Sequence, residues 1–233
     1  MSSSSDESKK EELRCNLLKQ STPQQSDGRK TCSKLLLYQI AMFFLCYLMW
    51  VAVHVQREFW AMSKEVIIGK NPELPTTFFG WLNMSLYLSY AVFMFFTGTL
   101  GDAYSRKYVL ALSFGVQAVF FVIIGYMGLC FAETIESRLL LFCLMFILVG
   151  SVQSVDLPCI VATMGAWTRR SSRGTVTGAW ATCGNVGNII GLQAASLVLT
   201  RHEDNWESLM FIIAIMYIST AFLILLTFVS DPQ

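Results

Sequence analysis

Arg57 is the residue in this sequence best suited to hold an anion. It follows directly on an apolar run, Leu35 to about Val55, and no helix breaker intervenes before Gly69. If that stretch stays helical, Tyr47, Trp50, His54 and Arg57 share one face at spacings of three and four. A guanidinium stays charged and can grip a phosphate or carboxylate through two parallel hydrogen bonds. The stripe could line a cavity and present Arg57 to an anion, but the residues alone favour the plainer alternative, an arginine that snorkels to the membrane surface. Two acids complicate the pattern. Glu58 is the immediate neighbour of Arg57, turned about 100° around a helix. Asp156 lies inside a later apolar run, where an ionisable group needs a reason to be. It reads either as a proton or substrate site or, preferentially, as the structural partner of a basic loop residue.

Other chemistries find little here. The histidines are His54 and His202. No Ser-His-Asp set, metal-ligand spacing, P-loop or dinucleotide fingerprint accompanies them. No catalytic residue, metal or cofactor is therefore expected. The cysteines Cys15, Cys32, Cys46, Cys130, Cys143, Cys159 and Cys183 form no C-x-x-C pair and read as small apolar fillers. A net charge of +1 excludes a strongly basic nucleic-acid binder.

The elements that would position these residues are membrane spans. Of the 233 residues, 54% are hydrophobic and 14% charged, against about a quarter charged in a soluble domain, so lipid is the expected solvent. Runs of about 20 apolar residues fall at 35 to about 55, 78–100, 108 to about 131, 139 to about 164, 174–199 and 208–229. The fifth is the least apolar. The continuous runs exclude a β-barrel pattern. The chain divides into a disordered tail, 1–34, and a six-helix transmembrane bundle, 35–230. Trp50, Trp60, Trp81, Trp167 and Trp206 fall near span ends, where interfacial aromatics are expected. Lys9, Lys10, Arg14, Lys19, Arg29, Lys30 and Lys34 in the tail join Arg106, Lys107, Arg169, Arg170 and Arg173 on one side. They outnumber Arg57, Lys64, Lys70, Arg138 and Arg201 on the other, which places both termini in the cytoplasm. Gly174 with Gly178, and Gly187 with Gly191, predict close helix packing.

After the second span comes Gly98-Thr-Leu100-Gly101-Asp102-Ala-Tyr-Ser105-Arg106-Lys107, with Leu110 beyond. It resembles the G-x-L-x-D-x-x-G-R-K-x-x-L loop of the major facilitator superfamily, with Ser105 in place of the usual glycine. Gly150-Ser-Val-Gln153 ahead of Pro158, Trp167 ahead of Arg173-Gly174, and Trp180 ahead of Asn185-Val-Gly187 narrow the resemblance to the organophosphate:phosphate antiporter branch. Arg57, with His54 three residues before it, fits the same branch.

The resemblance implies an all-α membrane fold of two six-helix bundles, of which this chain is one, exchanging phosphorylated sugars or related anions for phosphate by alternating access. It makes Arg57 the phosphate ligand, with His54, Trp50, Trp180 and Asn185 as secondary cavity residues. Gly98, Asp102, Arg106, Lys107 and Arg173 become the conformational loop. It points to the endoplasmic reticulum or another internal membrane, while the residues themselves leave plasma and mitochondrial membranes open. The branch commonly carries Arg-Lys where this chain has Arg57-Glu58. The sequence ends at Asp231-Pro232-Gln233, where the family's central loop begins. A second half, a second copy or a larger membrane complex is therefore the expected partner, beside the bilayer and an anionic substrate. A non-transporting membrane subunit is the alternative function.

Overall fold

The computed structural model describes residues 23–131, 138–201 and 205–229, and all its regular elements there are helices. They are α1 (Pro23–Lys70), α2 (Thr76–Thr97), α3 (Leu100–Ala103), α4 (Arg106–Phe131), α5 (Leu139–Gln153), α6 (Asp156–Trp167), α7 (Arg173–Ala181), α8 (Cys183–Arg201) and α9 (Trp206–Thr227). Compactness divides the chain after Ala41. The described part of the first unit, residues 23–41, is helix, and the packing below concerns the second unit, from Met42 onward. The tail expected over 1–34 falls outside the described residues up to 22, and α1 is already helical from Pro23.

Six helical stretches are long and apolar enough to cross a membrane: Leu35–Lys70, Thr76–Ala103, Arg106–Cys130, Leu139–Trp167, Arg173–Arg201 and Trp206–Thr227. The expected six spans are therefore present. The fifth, with a mean hydropathy of 1.2 against 2.7 for the sixth, is the least apolar, as its Gly, Ser, Thr and Asn content implies. Phe95, Leu140, Ile189, Ile215 and Phe222 stand exposed around the bundle, where a bilayer would cover them.

Three of the spans are broken, and the breaks have local causes. The fourth opens at Ser154–Val155, between α5 and α6. Pro158 sits in the first turn of α6, where its missing N–H costs nothing, but its ring would clash with the carbonyl of Ser154 in a continuous helix. The fifth breaks at Thr182, whose hydroxyl donates back to the Ala179 carbonyl at 2.8 Å. The second breaks at Gly98–Thr99, just ahead of the loop with Asp102.

Glycines decide which spans touch. A Cβ on Gly187 would lie 2.6 Å from His54 Cβ and 2.8 Å from the Val51 carbonyl oxygen. One on Gly191 would lie 2.9 Å from Val55 Cα and 2.8 Å from Glu58 Cβ. The fifth span thus lies directly on the backbone of the first, and only glycine permits that distance. Gly150 brings the fourth span onto Leu86 and Ser89 of the second in the same way. Gly125 and Gly128 receive Phe211, Trp206 and Glu207, seating the sixth span on the third. Gly174 and Gly178, expected to pack closely, meet nothing within 4 Å, because α7 is largely exposed.

Trp167 ends the fourth span, Trp206 opens the sixth and Trp81 lies near the start of the second, whereas Trp50 and Trp60 lie well inside the long first span. Trp60, Trp167 and Trp206 are buried: Trp60 donates to Asn83 Oδ1 at 3.1 Å, and Trp167 donates to the Val229 carbonyl at 3.0 Å. Trp81 is the exposed one.

Candidate functional site

The stripe on the first span survives folding because α1 runs unbroken to Lys70, well past Arg57. Arg57 is consequently inside a span and not in an outer loop. Its side chain is half-buried, and Nε is buried without a hydrogen-bond partner. The guanidinium carbon lies 5.9 Å from the ring centroid of Tyr87 on the second span, a cation–π contact. A guanidinium with an orphaned buried N–H is a donor awaiting an acceptor, and an anion supplies one.

The other members of the stripe turn toward the fifth span. His54 Nδ1 lies 2.9 Å from Asn188 Oδ1, and the Trp50 ring meets His54 edge-on at 5.8 Å. Trp50 also meets Trp180, with centroids 5.9 Å apart, and Trp180 donates to the Cys46 carbonyl at 3.4 Å. Tyr47 closes the row, its hydroxyl 3.0 Å from that of Thr182. His54, Trp50 and Trp180 are thus brought together, while Asn185 is exposed and apart. Asn188, one turn on, makes the contact. Glu58 is half-buried with its Cβ against Gly191.

Behind the stripe lies a polar core. Gln153 Nε2 sits 3.3 Å from Gln56 Oε1 and 3.4 Å from the Tyr217 hydroxyl, linking the first, fourth and sixth spans. Asp156 is 0% exposed. Its hydrogen-bond partners are Ser113, at 2.6 Å to Oδ1, and Gln117, at 2.9 Å to Oδ2, both neutral and both on the third span. The expected pairing with a basic loop residue is therefore replaced by a neutral network. Asp156 is the first residue of α6.

The loop residues occupy one end of the bundle. Asp102 is exposed in α3, and Lys107 and Arg106 open α4. Gly101, not Gly98, makes the close approach: a Cβ there would lie 2.7 Å from Cys159 Sγ. Arg173, at the start of α7, donates to the Gly165 carbonyl at 2.9 Å and so ties the fifth span to the end of the fourth.

The Major Facilitator Superfamily profile matches residues 35–233. The chain belongs to the major facilitator superfamily. Sugar phosphate exchanger 3 of Homo sapiens is 34% identical over 148 residues, which is 64% of this chain and 29% of that protein. Its Mus musculus counterpart is 38% identical over 127 residues, 54% of this chain and 25% of the relative. Glucose-6-phosphate exchanger SLC37A2 of Danio rerio is 32% identical over 166 residues, 71% of this chain and 31% of the relative. The chain spans about a third or less of the curated relatives it matches. No solved structure matches it. As a member of this superfamily it is a multi-pass membrane protein of a transporter family.

Sequence reasoning missed Asn188, Tyr87 and the Ser113–Gln117 pair. Ser113 and Gln117 did leave a signal: two polar residues four apart in an apolar span share a face. Tyr87 left none, because nothing in the sequence says which aromatic of the second span meets the first.

Proposed function

We propose that this chain supplies one bundle of a carrier that exchanges phosphorylated organic anions, sugar phosphates foremost, for phosphate. Arg57 carries the reading: a cation inside a span, with a buried N–H lacking an acceptor, next to an aromatic-lined stripe. The names borne by the relatives supply the substrate class. His54 and Trp50 flank the anion, and Asn188 holds the imidazole. The glycine contacts between first and fifth spans keep this wall rigid while the bundle rocks against a facing bundle, a second half or a second copy. Asp102, Arg106, Lys107 and Arg173 lie at the end that such rocking opens and closes. Both termini are cytoplasmic on the distribution of Lys and Arg, in an internal membrane of the endoplasmic reticulum type. The chain is a carrier and not an enzyme.

Proteoliposomes containing the full chain, tested with labelled phosphate and glucose 6-phosphate, check the reading. Exchange that Arg57→Ala lowers roughly ten- to hundredfold and Arg57→Lys partly retains supports it. No exchange of either anion, with Arg57→Ala behaving as the parent, sinks it. One observation favours a second reading, a non-transporting membrane subunit: Glu58 places a half-buried carboxyl beside Arg57 on the same helix. That reading expects stable co-purification with other membrane proteins and no exchange.

A further inference from the structure

We propose that Asp156 is a proton-binding site that links protonation to the break in the fourth span. Ser113 Oγ lies 2.6 Å from Asp156 Oδ1 and 3.3 Å from the Val152 carbonyl oxygen. Gln117 Nε2 lies 2.9 Å from Ser113 Oγ and 2.9 Å from Asp156 Oδ2. The Gln117 amide has two hydrogens, and both are engaged. The Ser113 hydroxyl has one hydrogen and faces two acceptors. With Asp156 ionised, the network is one hydrogen short.

A single proton on Oδ1 supplies the hydrogen that the Ser113 and Val152 contacts lack, while Gln117 Oε1 stays buried without a partner. The acid O–H donates to Ser113 Oγ, and the Ser113 hydroxyl turns to the Val152 carbonyl. Ser113 Oγ then accepts from Gln117 and from Asp156 and donates once, its full capacity. Val152 is where this matters. It lies in the last turn of α5, where helix carbonyls lose their regular partners, and the Val155 N–H reaches it only at 3.4 Å. The proton therefore decides whether the third span clasps the broken fourth span at its break. Ionised, Asp156 takes the hydroxyl for itself and the carbonyl is released.

Burial makes the site conformational. Asp156 is fully enclosed, so a hydronium ion reaches it only when the packing opens. The step is a simple transfer: hydronium gives its proton to Oδ1, leaving water and a neutral acid, and the reverse returns the proton to water. The titratable groups in electrostatic reach of Asp156 are Cys159 on the same span, Tyr90 on the second and Tyr217 on the sixth. Arg57 on the first span acts on both tyrosines, and Asp102 and Arg106 act on Cys159. Among these, a carboxyl is the group that ordinarily releases its proton at the lowest pH, well below a thiol or a phenol. Any coupling of this proton to transport rests on the function proposed above; proton binding itself does not.

The test is infrared difference spectroscopy of the full chain in phosphatidylcholine vesicles, titrated from alkaline to acid pH. A carboxylic acid carbonyl band, shifted in heavy water, should grow on acidification and be missing from Asp156→Asn. The asparagine amide can donate to Ser113 as the acid O–H would, so this variant should fold. If it does not, Asp156→Glu should keep the band at a changed frequency. Ser113→Ala should move the titration midpoint. A difference between parent and Asp156→Asn that shows no band at any pH, or a band that pH leaves unchanged, overturns the proposal. In the same vesicles, an inward proton gradient should alter phosphate uptake by the parent and not by Asp156→Asn. Phosphate uptake equally gradient-sensitive in both overturns the coupling. A parent that takes up no phosphate counts against the transport function alone, and the infrared result still decides the proton site.

Discussion

His54 Nδ1 and Asn188 Oδ1 lie 2.9 Å apart, joining the first and fifth spans through a side-chain hydrogen bond. Gly184 and Gly187 make this possible, because the first leaves room for the imidazole and the second for His54 Cβ and the Val51 backbone. With the amide oxygen accepting, Nδ1 carries the proton and Nε2 is the ring's remaining acceptor. The ring is held from the other side by Trp50.

Breaking that bond should cost stability and leave the neighbouring asparagine innocent. Asn188→Ala is expected to lower stability by about 1 kcal/mol, the usual scale for one hydrogen bond in this setting. Asn185→Ala, at an exposed position, should change it little. Thermal unfolding in detergent, followed by tryptophan fluorescence, reads both. Equal effects would deny Asn188 its special place.

The glycine contacts give a sharper steric contrast. Gly191→Leu and Gly187→Leu must drive the fifth span off Val55 and Val51, costing about 1–3 kcal/mol or more by overpacking. Gly174→Ala and Gly178→Ala meet open space and should be tolerated. The thermal midpoint and the detergent-stable yield of each variant check this ordering.

Arg57 and Tyr87 should separate charge from ring. On the proposed function Arg57→Ala removes the anion ligand, and a loss of about 1.5–3 kcal/mol in charged hydrogen bonding predicts roughly a ten- to hundredfold fall in phosphate exchange. Tyr87→Phe keeps the aromatic face under the guanidinium and should be mild, while Tyr87→Ala should reduce exchange more. Exchange rates in proteoliposomes measure all three.

Glu58→Lys puts a second cation beside Arg57 in place of a carboxyl. If the stripe holds a phosphate, the half-saturation concentration for phosphate should fall by roughly fivefold, equivalent to ~1 kcal/mol at partial solvent screening. The Cβ of residue 58 rests against Gly191 in either form, so stability should change little. Uptake measured over a range of phosphate concentrations gives the answer, and a rise would place the anion elsewhere.

The legible part of the site was the part that lies on one helix. Tyr47, Trp50, His54 and Arg57 share a face by periodicity alone, and the structure keeps them aligned because no breaker interrupts α1. Asp156 was visible as a costly acid in an apolar run, but its partners were not. The expectation of a basic partner came from charge alone. Ser113 and Gln117 are about forty positions away and become neighbours only when the third span packs beside the fourth. That Asn188 is the residue meeting His54 was hidden for the same reason, since the seating of Gly187 on the first span sets which side of the fifth span faces it.

The sequence by itself determined that this chain has six apolar runs, a cation just past the first and an acid within the fourth. Run length and side-chain transfer energies are local quantities, and a single strand of sequence carries them in full. Only the tertiary structure decided that Arg57 keeps a buried, unpartnered N–H over Tyr87, that His54 is held by Asn188, and that Asp156 rests among neutral donors. Those facts depend on which helix faces press together, and small residues such as Gly150, Gly187 and Gly191 set that through contacts between distant parts of the chain.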